Sequence, residues 1–368
     1  MKRDRLRIFL PVRNEKLLIV FVPILSILLA FLVGAFFILL AKVNPLTVYY
    51  EIFKGAFATR IGLTESMIKS LPLVLAGLGM SFAFRCGVYN IGGEGQIFLG
   101  ALGATFVAVK LNLPIFLHLP LVIMAGFMSG GIWALIAGWL KTHYKVNELI
   151  TTIMLNYIGI YLVGIFVYGP LREPGSIFPQ SSQFPPSAIF SVLVPGTRLH
   201  GGVLLAIIAT IFVYVFLWKT VSGFNIRAVG VNPEAARFSG ISVEKNILIA
   251  MFISGGLAGL AGVGEVSGLT QRLFDNFSSG YGYQAVAVAL LGQTHPVGVV
   301  LAGIFFGALR NGTTIMQRAL GVPTSLVFII QGLVILFVVG SSFYTTQLIK
   351  KQAGGGMKDE RLGDKLSG

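Results

Sequence analysis

Long apolar runs limit what this chain can fold into more than any other feature does. Of its 368 residues 55% are hydrophobic and 11% are charged, whereas a soluble domain carries about 25% charged residues. A helix that crosses a membrane needs about 20 apolar residues. Runs that approach or exceed this length lie at Leu17–Ala41, Leu119–Leu140, Leu149–Tyr168, Val203–Trp218, Ile247–Leu269, Val297–Met316 and Leu326–Tyr344. With three shorter runs, Leu71–Phe84, Ile97–Val109 and Tyr283–Leu291, we predict an all-α polytopic membrane protein with about ten transmembrane helices.

The charge distribution indicates the topology and the domain limits. The chain has 28 Lys and Arg against 14 Asp and Glu, a net charge of +14. Nucleic-acid binding would explain such a balance, but basic residues at the cytoplasmic ends of spans explain it better. We therefore expect no nucleic-acid partner and place both termini in the cytoplasm. The predicted parts are a basic N-terminus over 1–16, a transmembrane domain over 17–346 with a cytoplasmic loop over 221–246, and a flexible basic tail over 347–368.

Two polar breaks interrupt apolar sequence, one in each half of the chain. The first runs from Arg85 to Gln96 and contains four glycines, and the second runs from Gly292 to Pro296. Irregular backbone at membrane depth is tolerated only against protein or a water-filled cavity. Paired interrupted segments also point to a substrate path, so we predict either broken helices that line one or, at the first break, two spans joined by a tight turn. Chance is the alternative explanation of the pairing, because glycine-spaced helices are common in membranes.

The predicted loop 221–246 contains signals for a short helix. Asn232 is a good N-cap residue, Pro233 suits the first helical position, and Glu234 suits the positive end of a helix dipole. Gly240 can end the helix in a left-handed conformation. A short capped helix between two spans can transmit force from a soluble partner, although an ordinary loop helix is the simpler interpretation.

The sequence contains no recognisable catalytic set. It has no Gly-x-x-x-x-Gly-Lys-Ser/Thr phosphate loop and no His/Cys spacing typical of a metal site, so any ATP must be hydrolysed on another chain. Ion-coupled transporters need ionisable groups at membrane depth, and only Glu94, Glu265 and Arg310 qualify. We predict that Glu265 and Arg310 neutralise one another, and that Glu94 pairs with Arg85 or caps the helix that follows it.

Three stretches resemble one family of transport proteins. Asn90-Ile91-Gly92-Gly93-Glu94-Gly95-Gln96 resembles the signature of permeases for branched-chain amino acids, simple sugars and nucleosides. The stretch from Gly230 to Ile241, which contains Glu234-Ala235-Ala236 and Gly240, is similar to the EAA loop of bacterial ABC importers, and to its nucleoside (basic membrane lipoprotein-associated) branch in particular. The stretch from Ala289 to Gly298 resembles the later break of the family.

The resemblance implies a type II ABC importer-like bundle with broken helices in a bacterial or archaeal cytoplasmic membrane. It implies as partners ABC ATPase subunits that hold ATP and Mg²⁺, a second and different permease subunit, and an extracytoplasmic substrate-binding protein. The chain itself would then hold no cofactor and would not be an enzyme. The implied solute is small and neutral, a nucleoside first and a simple sugar such as ribose or galactose as the alternative. An ion-coupled secondary transporter, a channel and a membrane scaffold are the rival classes.

The resemblance also assigns two sets of site residues. The ATPase-coupling set is Asn232, Pro233, Glu234, Ala235, Ala236, Arg237 and Gly240. The path and gate set is Phe84, Asn90, Gly92, Gly93, Glu94, Gln96, Asn156, Tyr157 and Gln284. In the second set the amides and the Tyr157 hydroxyl would bond to a ribose or base, and Phe84 with Phe82 would stack on a base. Internal packing is the alternative role for each of them.

Overall fold

The computed structural model describes residues 15–40, 42–321, 325, 328–337 and 340. Within these ranges the chain is α-helical, and β-structure is limited to isolated bridges. The helices are α1 Glu15–Leu40, α2 Pro45–Phe57, α3 Arg60–Arg85, α4 Gly93–Lys110, α5 Ile115–Tyr144, α6 Glu148–Tyr168, α7 Gly202–Lys219, α8 Val221–Val231, α9 Pro233–Phe238, α10 Val243–Val263, α11 Tyr281–Leu291 and α12 Pro296–Leu320. A π-helix, Gly264–Thr270, continues α10. The all-α prediction is confirmed.

The chain divides into two compact units. The first comprises 1–45 and 323–368, and its described part contains α1 and a short apolar helix, Phe328–Phe337. The second, 46–322, contains the other helices and every predicted site residue. The predicted tail, 347–368, lies outside the described residues, as do most of the predicted N-terminus, 1–16, and part of the last predicted span.

Six helices in the described part of the chain are long and apolar enough to cross a membrane, and a seventh is reached if Leu25–Leu40 and α2 form one span. The six are α3, α5, α6, α7, α10 with its π-helix, and α12. Two of the shorter predicted spans form helices that are not long or apolar enough to cross a membrane. At about 1.5 Å per residue the 11-residue α11 is too short to span, and the 18-residue α4, which begins with the polar residues Glu94 and Gln96, is not apolar enough over its length. A polytopic helical protein is confirmed, while the count of about ten is not.

Helix α3 begins at Arg60, which corrects the prediction of a short run starting at Leu71. Thr59 caps the helix, because its hydroxyl accepts from the amide of Gly62 at 2.9 Å. The hydroxyl side chains in the first half of α3 are buried and internally bonded. The Ser66 hydroxyl donates to the Ala56 carbonyl at 3.0 Å, and the Ser70 hydroxyl donates to the Ser66 carbonyl at 2.6 Å. Hydroxyls satisfied in this way allow polar positions inside a 26-residue span.

Helices α3 and α10 form the centre of the second unit. In their most apolar stretches 83% of the residues are buried, against 28% in α5 and α7. Close approach of the backbones is possible because glycines lie at the crossings. A Cβ atom on Gly259 of α10 would collide with the carbonyl oxygen of Gly126 on α5. Small residues at helix contacts are typical of packing in lipid, and here they fix the central helix against its neighbours.

Candidate functional site

Helix α9 has the caps that the sequence predicts. The Asn232 side chain accepts from the amides of Glu234 and Ala235 at 3.0 and 3.1 Å, and Pro233 occupies the first turn. Gly240 follows the helix with φ +80°, a left-handed conformation that favours glycine. Of the six helical residues only Ala236 is buried, and Phe238 is 94% exposed. The helix therefore presents an unusual exposed aromatic ring at a position where a partner can bind.

Two contacts connect this segment to the interior of the bundle. Arg237 Nη2 lies 2.5 Å from Glu244 Oε1 in the first turn of α10. On the other side, Gly230 near the end of α8 packs against the backbone of Arg85 so closely that a Cβ atom there would collide with the Arg85 carbonyl. These contacts join α9 to the first turn of α10, and α8 to the end of α3.

Asn90 is the centre of the first break. Its amide nitrogen donates to Gln96 Oε1 at 3.0 Å and to the Ser254 hydroxyl at 2.8 Å. Its oxygen accepts from the Gly92 amide and from Gln96 Nε2, both at 2.9 Å. These four bonds use the full capacity of an asparagine side chain, and Asn90 and Gln96 are 0% and 2% exposed. In this conformation the two residues hold the break together instead of facing an open path.

Asn156 on α6 fixes the same break from the other side. Its oxygen accepts from the Gly95 amide at 2.8 Å, and its nitrogen donates to the Ile91 carbonyl at 2.9 Å. The Thr152 hydroxyl accepts from the Ile91 amide at 3.3 Å. Thr152 and Ser254 were not predicted, since nothing in their local sequence distinguishes them from other hydroxyls in spans. The structure therefore brings three predicted amides into one buried network.

Glu94 joins the first break to α11. Its carboxylate accepts from the amides of Gly282 at 2.6 Å and Gly280 at 3.2 Å, at the N-terminal end of α11. A carboxylate is favoured there because the helix dipole and the unpaired amides are positive. Gly282 permits the approach, because a Cβ atom there would collide with the Glu94 amide. Glu94 lies in the first turn of α4, as one of the two predictions has it, but its carboxylate hydrogen-bonds to the start of α11, and no ion pair with Arg85 is found among the described side chains.

Arg85 joins the first break to the second. Its Nε donates to the Thr294 carbonyl at 3.1 Å, and its Nη2 donates to the Gln293 carbonyl at 3.2 Å. Gln293 and Thr294 both have left-handed backbones, with φ of 52° and 53°, and their carbonyls are turned towards this guanidinium. The two breaks that the sequence pairs are thus in direct contact. In the sequence, the only feature that could have singled out Arg85 as a link between the breaks was its charge at the end of an apolar run.

Glu265 and Arg310, which were predicted to neutralise one another, make no direct ion pair among the described side chains, although the charge of Arg310 acts on Glu265. No ion pair within 4.0 Å joins them. Arg310 Nη1 instead donates to Gln284 Oε1 at 3.1 Å, Nη2 donates to the Ser279 carbonyl at 3.1 Å, and the guanidinium lies 4.0 Å from the Tyr281 ring centre. The loop before α11 thus binds Arg310. This places the predicted residue Gln284 beside a charged group.

Exposed tyrosines form a stripe along α6. Tyr157, Tyr161 and Tyr168 follow an i, i+4, i+11 pattern that puts them on one helix face, and all three are exposed. Tyr157 lies near the middle of the 21-residue helix, where a hydroxyl facing hydrocarbon would lack water. The exposed Tyr283 on α11 interacts electrostatically with Tyr157. The predicted residue Phe84 lies elsewhere, with its ring 5.4 Å from that of Tyr89.

Metal-ligating side chains do not cluster in the described part of the chain. No group of three or more His, Cys, Asp or Glu side chains that could hold a metal is found there. Burial raises the pKa of the Cys86 thiol to about 12, which makes it a poor nucleophile. Burial, and then the nearby Arg85, lowers the pKa of His295.

Comparison with known proteins gives a consistent result over most of the chain. Residues 62–339 match the model of the family described as branched-chain amino acid transport system / permease component. The glucose ABC transporter permease TsgB13 of Haloferax volcanii is 39% identical over 88% of this chain and 87% of its own length. The guanosine ABC transporter permease NupP of Bacillus subtilis is 35% identical over 90% and 97%. The nucleoside ABC transporter permease NupB of Lactococcus lactis is 31% identical over 92% and 96%. No solved structure matches the chain.

Proposed function

This chain belongs to the branched-chain amino acid transport system permease family, and from that premise we propose that it forms the translocation path of an ATP-driven importer for nucleosides. The observation that supports the proposal most is the similarity along nearly the whole chain to NupP and NupB, two nucleoside permeases. The exposed tyrosines on α6 and α11 fit such a cargo, because flat aromatic faces and hydroxyls suit a base and a ribose.

We place the path along the face that carries Tyr157, Tyr161 and Tyr283. A second permease subunit, a different chain of the same family, would close the path on the opposite side. The tyrosine hydroxyls at mid-span then hydrogen-bond to water or solute instead of facing hydrocarbon. Delivery by an extracytoplasmic binding protein and an orientation with both termini in the cytoplasm of the inner membrane complete the proposed assembly.

We propose that α9 is the coupling helix and that ATP and Mg²⁺ are bound by partner ATPase subunits. Phe238 is the anchor of this contact, since exposed aromatic residues that become buried contribute strongly to interfaces. When the ATPases close, they push α9. The ion pair from Arg237 to Glu244 transmits that movement to α10, and the contact of Gly230 with the Arg85 backbone transmits it to the two breaks.

The coupling role is tested by two sets of substitutions in the complex reconstituted in liposomes with its ATPases and binding protein. Phe238→Ala, and separately the double variant Glu234→Ala with Gly240→Ala, should lower ATP-dependent guanosine uptake at least about tenfold while the chain still inserts. Tyr144→Ala is the matched control, because Tyr144 is an exposed aromatic residue at the cytoplasmic end of α5. Normal uptake by both coupling variants would refute the assignment of α9.

A simple sugar is the second candidate cargo, because the glucose permease TsgB13 is 39% identical to this chain. Competition decides between the two: excess nucleoside should abolish guanosine uptake, whereas excess glucose or ribose should leave it unchanged. The reverse pattern would establish the sugar. Uphill uptake by the chain alone, driven by an ion gradient without any ATPase, would instead identify a secondary transporter.

A further inference from the structure

Two arginines and three aromatic rings meet where α3, α7 and α8 come together at the cytoplasmic ends of the spans. The Arg85 guanidinium lies 5.4 Å from the ring centre of Trp218, and that of Arg227 lies 6.0 Å from it. The His295 ring is 5.1 Å from Trp218 and 6.1 Å from Tyr214. We call these five residues the Arg85–Arg227 cluster.

The cluster has an excess of positive charge. Among the described side chains no carboxylate lies within 4.0 Å of either arginine. Arg85 uses Nε and Nη2 in bonds to carbonyls, which leaves Nη1 for another acceptor. The side chain of Arg227 makes no hydrogen bond to the described residues, and its buried Nε has no partner. Two guanidinium groups that share one ring repel each other, and an anion between them would remove that cost.

The location indicates where the anion comes from. Tyr214 and Trp218 stack on the surface of α7, with ring centres 5.7 Å apart. Aromatic residues at the end of a span are typical of the level of lipid head groups. Ile211 and Val215 on the same helix are exposed, so this side of α7 faces hydrocarbon. The cluster is therefore open to the cytoplasmic leaflet of the bilayer.

An apolar cavity of about 490 Å³ lies farther along the same helices, between α3, α7 and α12. Its lining includes Val74, Ile207, Ile211, Val300 and Ile304. The two hydroxyls that also line it, on Ser70 and Thr210, are bonded to the carbonyls of Ser66 and Ala206 in their own helices. Both hydroxyls already donate within their own helices, the other lining residues are apolar, and all lining helices are spans, so the cavity suits an apolar occupant.

The spacing between the cluster and the cavity fits one lipid. From Trp218 to Ile207 along α7 is 11 residues, or about 16 Å at 1.5 Å per residue. An acyl chain from one leaflet reaches half of the hydrocarbon thickness, about 15 Å. A phosphate at the cluster would therefore let one of its acyl chains enter the cavity.

We propose that this site binds an anionic phospholipid of the cytoplasmic leaflet, with its phosphate between Arg85 and Arg227 and one acyl chain between α3, α7 and α12. The bound lipid holds α8 against the end of α3. Because α8 leads directly into α9, the lipid also steadies the segment that we assign to coupling. That last effect and the choice of the cytoplasmic leaflet depend on the proposed function, whereas binding of an anionic lipid does not.

The binding is tested by native mass spectrometry of the purified full-length chain in complex with its partners, after exchange into mixed phosphatidylglycerol and phosphatidylcholine. The wild type should retain phosphatidylglycerol in preference. Arg227→Gln should lower that preference about tenfold, since it removes a charged donor and leaves the bonds of Arg85 to the second break intact. Lys219→Gln is the matched control, because it removes an exposed charge at the same end of α7.

The acyl chain is tested separately. Ile207→Trp should fill the cavity and lower retention of phosphatidylglycerol, whereas Ile208→Trp, on the neighbouring lipid-facing position outside the cavity, should not. Equal retention of both lipids by the wild type, or an unchanged preference in Arg227→Gln, overturns the proposal. So does displacement of the lipid by millimolar inorganic phosphate together with no effect of Ile207→Trp, because the site would then bind a free anion. None of these readouts depends on transport.

Discussion

Asn90 and Asn232 both hold the start of a helix, but in opposite surroundings. Asn90 is 0% exposed and spends all four of its hydrogen bonds inside the bundle. Asn232 is exposed and bonds only to the first amides of α9. The comparison separates two roles. Polar groups at the first break hold buried backbone in place, whereas Asn232 caps an exposed helix, the one that we propose binds the ATPase.

The same substitution at the two positions should separate these roles most strongly. Asn90→Ala leaves the Gly92 amide, Gln96 and Ser254 without a partner in a dry interior, where each unsatisfied group costs about 1–3 kcal/mol. We expect a loss of about 3 kcal/mol or more in the free energy of unfolding, measured by thermal and denaturant unfolding in detergent. Asn232→Ala removes only an exposed cap, a change of about 1 kcal/mol.

The transport of these two variants completes the test. Asn232→Ala should keep a near-normal melting temperature and still transport less, because α9 frays. Asn90→Ala should lose stability and transport together. Equal losses of stability would contradict the distinction, as would a stable Asn90→Ala protein with an altered solute preference, which would make Asn90 a solute contact.

His200 extends the comparison to the opposite side of the bundle and has an intermediate expected effect. It is buried, its Nδ1 accepts from the Gly202 amide at 3.2 Å, and it stacks on Phe190. Burial lowers the pKa of His200 from about 6.5 to about 4. The folded chain therefore resists the proton that the unfolded chain takes up below pH 6.5. Stability is full above pH 6.5 and falls as the pH drops from 6.5 to 4, by up to about 3 kcal/mol.

This pH dependence is measured as the melting temperature of the detergent-solubilised protein between pH 7.5 and 4.5. His200→Gln should flatten the acid limb of the curve even if the variant is less stable at neutral pH. His143→Gln, at an exposed histidine, serves as the control and should keep the slope. An unchanged slope in His200→Gln would show that other groups determine the acid response.

The accuracy of the sequence-based predictions follows the range of the interactions. Helix α9 was predicted residue by residue, because its cap, its proline and its terminal Gly240 act over a few positions. The breaks were predicted for the same reason. The start of α3 was not predicted, because the sequence does not show which carbonyls accept hydrogen bonds from the hydroxyls of Ser66 and Ser70. The partner of Glu94 lies 188 residues away at Gly282, a separation over which no local pattern gives a signal.

The ion pair between Arg237 and Glu244 should give the smallest change in stability. Both side chains are largely exposed, at 63% and 44%, and exposed pairs contribute about 0.2–1 kcal/mol. A double-mutant cycle with Arg237→Gln and Glu244→Gln should therefore show a coupling energy of unfolding below about 1 kcal/mol. The same cycle on ATP-dependent uptake should show a larger coupling, because the pair joins α9 to the central helix α10.

The coupling energies measured on unfolding and on uptake distinguish two possible roles of the ion pair between Arg237 and Glu244. If the pair were only a solvated surface contact, the coupling energies on unfolding and on uptake would be equally small, and both would vanish in high salt. If it transmits movement, uptake should fall in each single variant to nearly the level of the double variant, while the melting temperatures stay close to that of the wild type. Lys54, which is exposed, and Glu51, which is partly buried, form an ion pair at 3.5 Å on α2, and neutralising this control pair away from α9 should leave both measurements unchanged. A deficit in uptake that appears equally in that control would remove the mechanical role from Arg237 and Glu244.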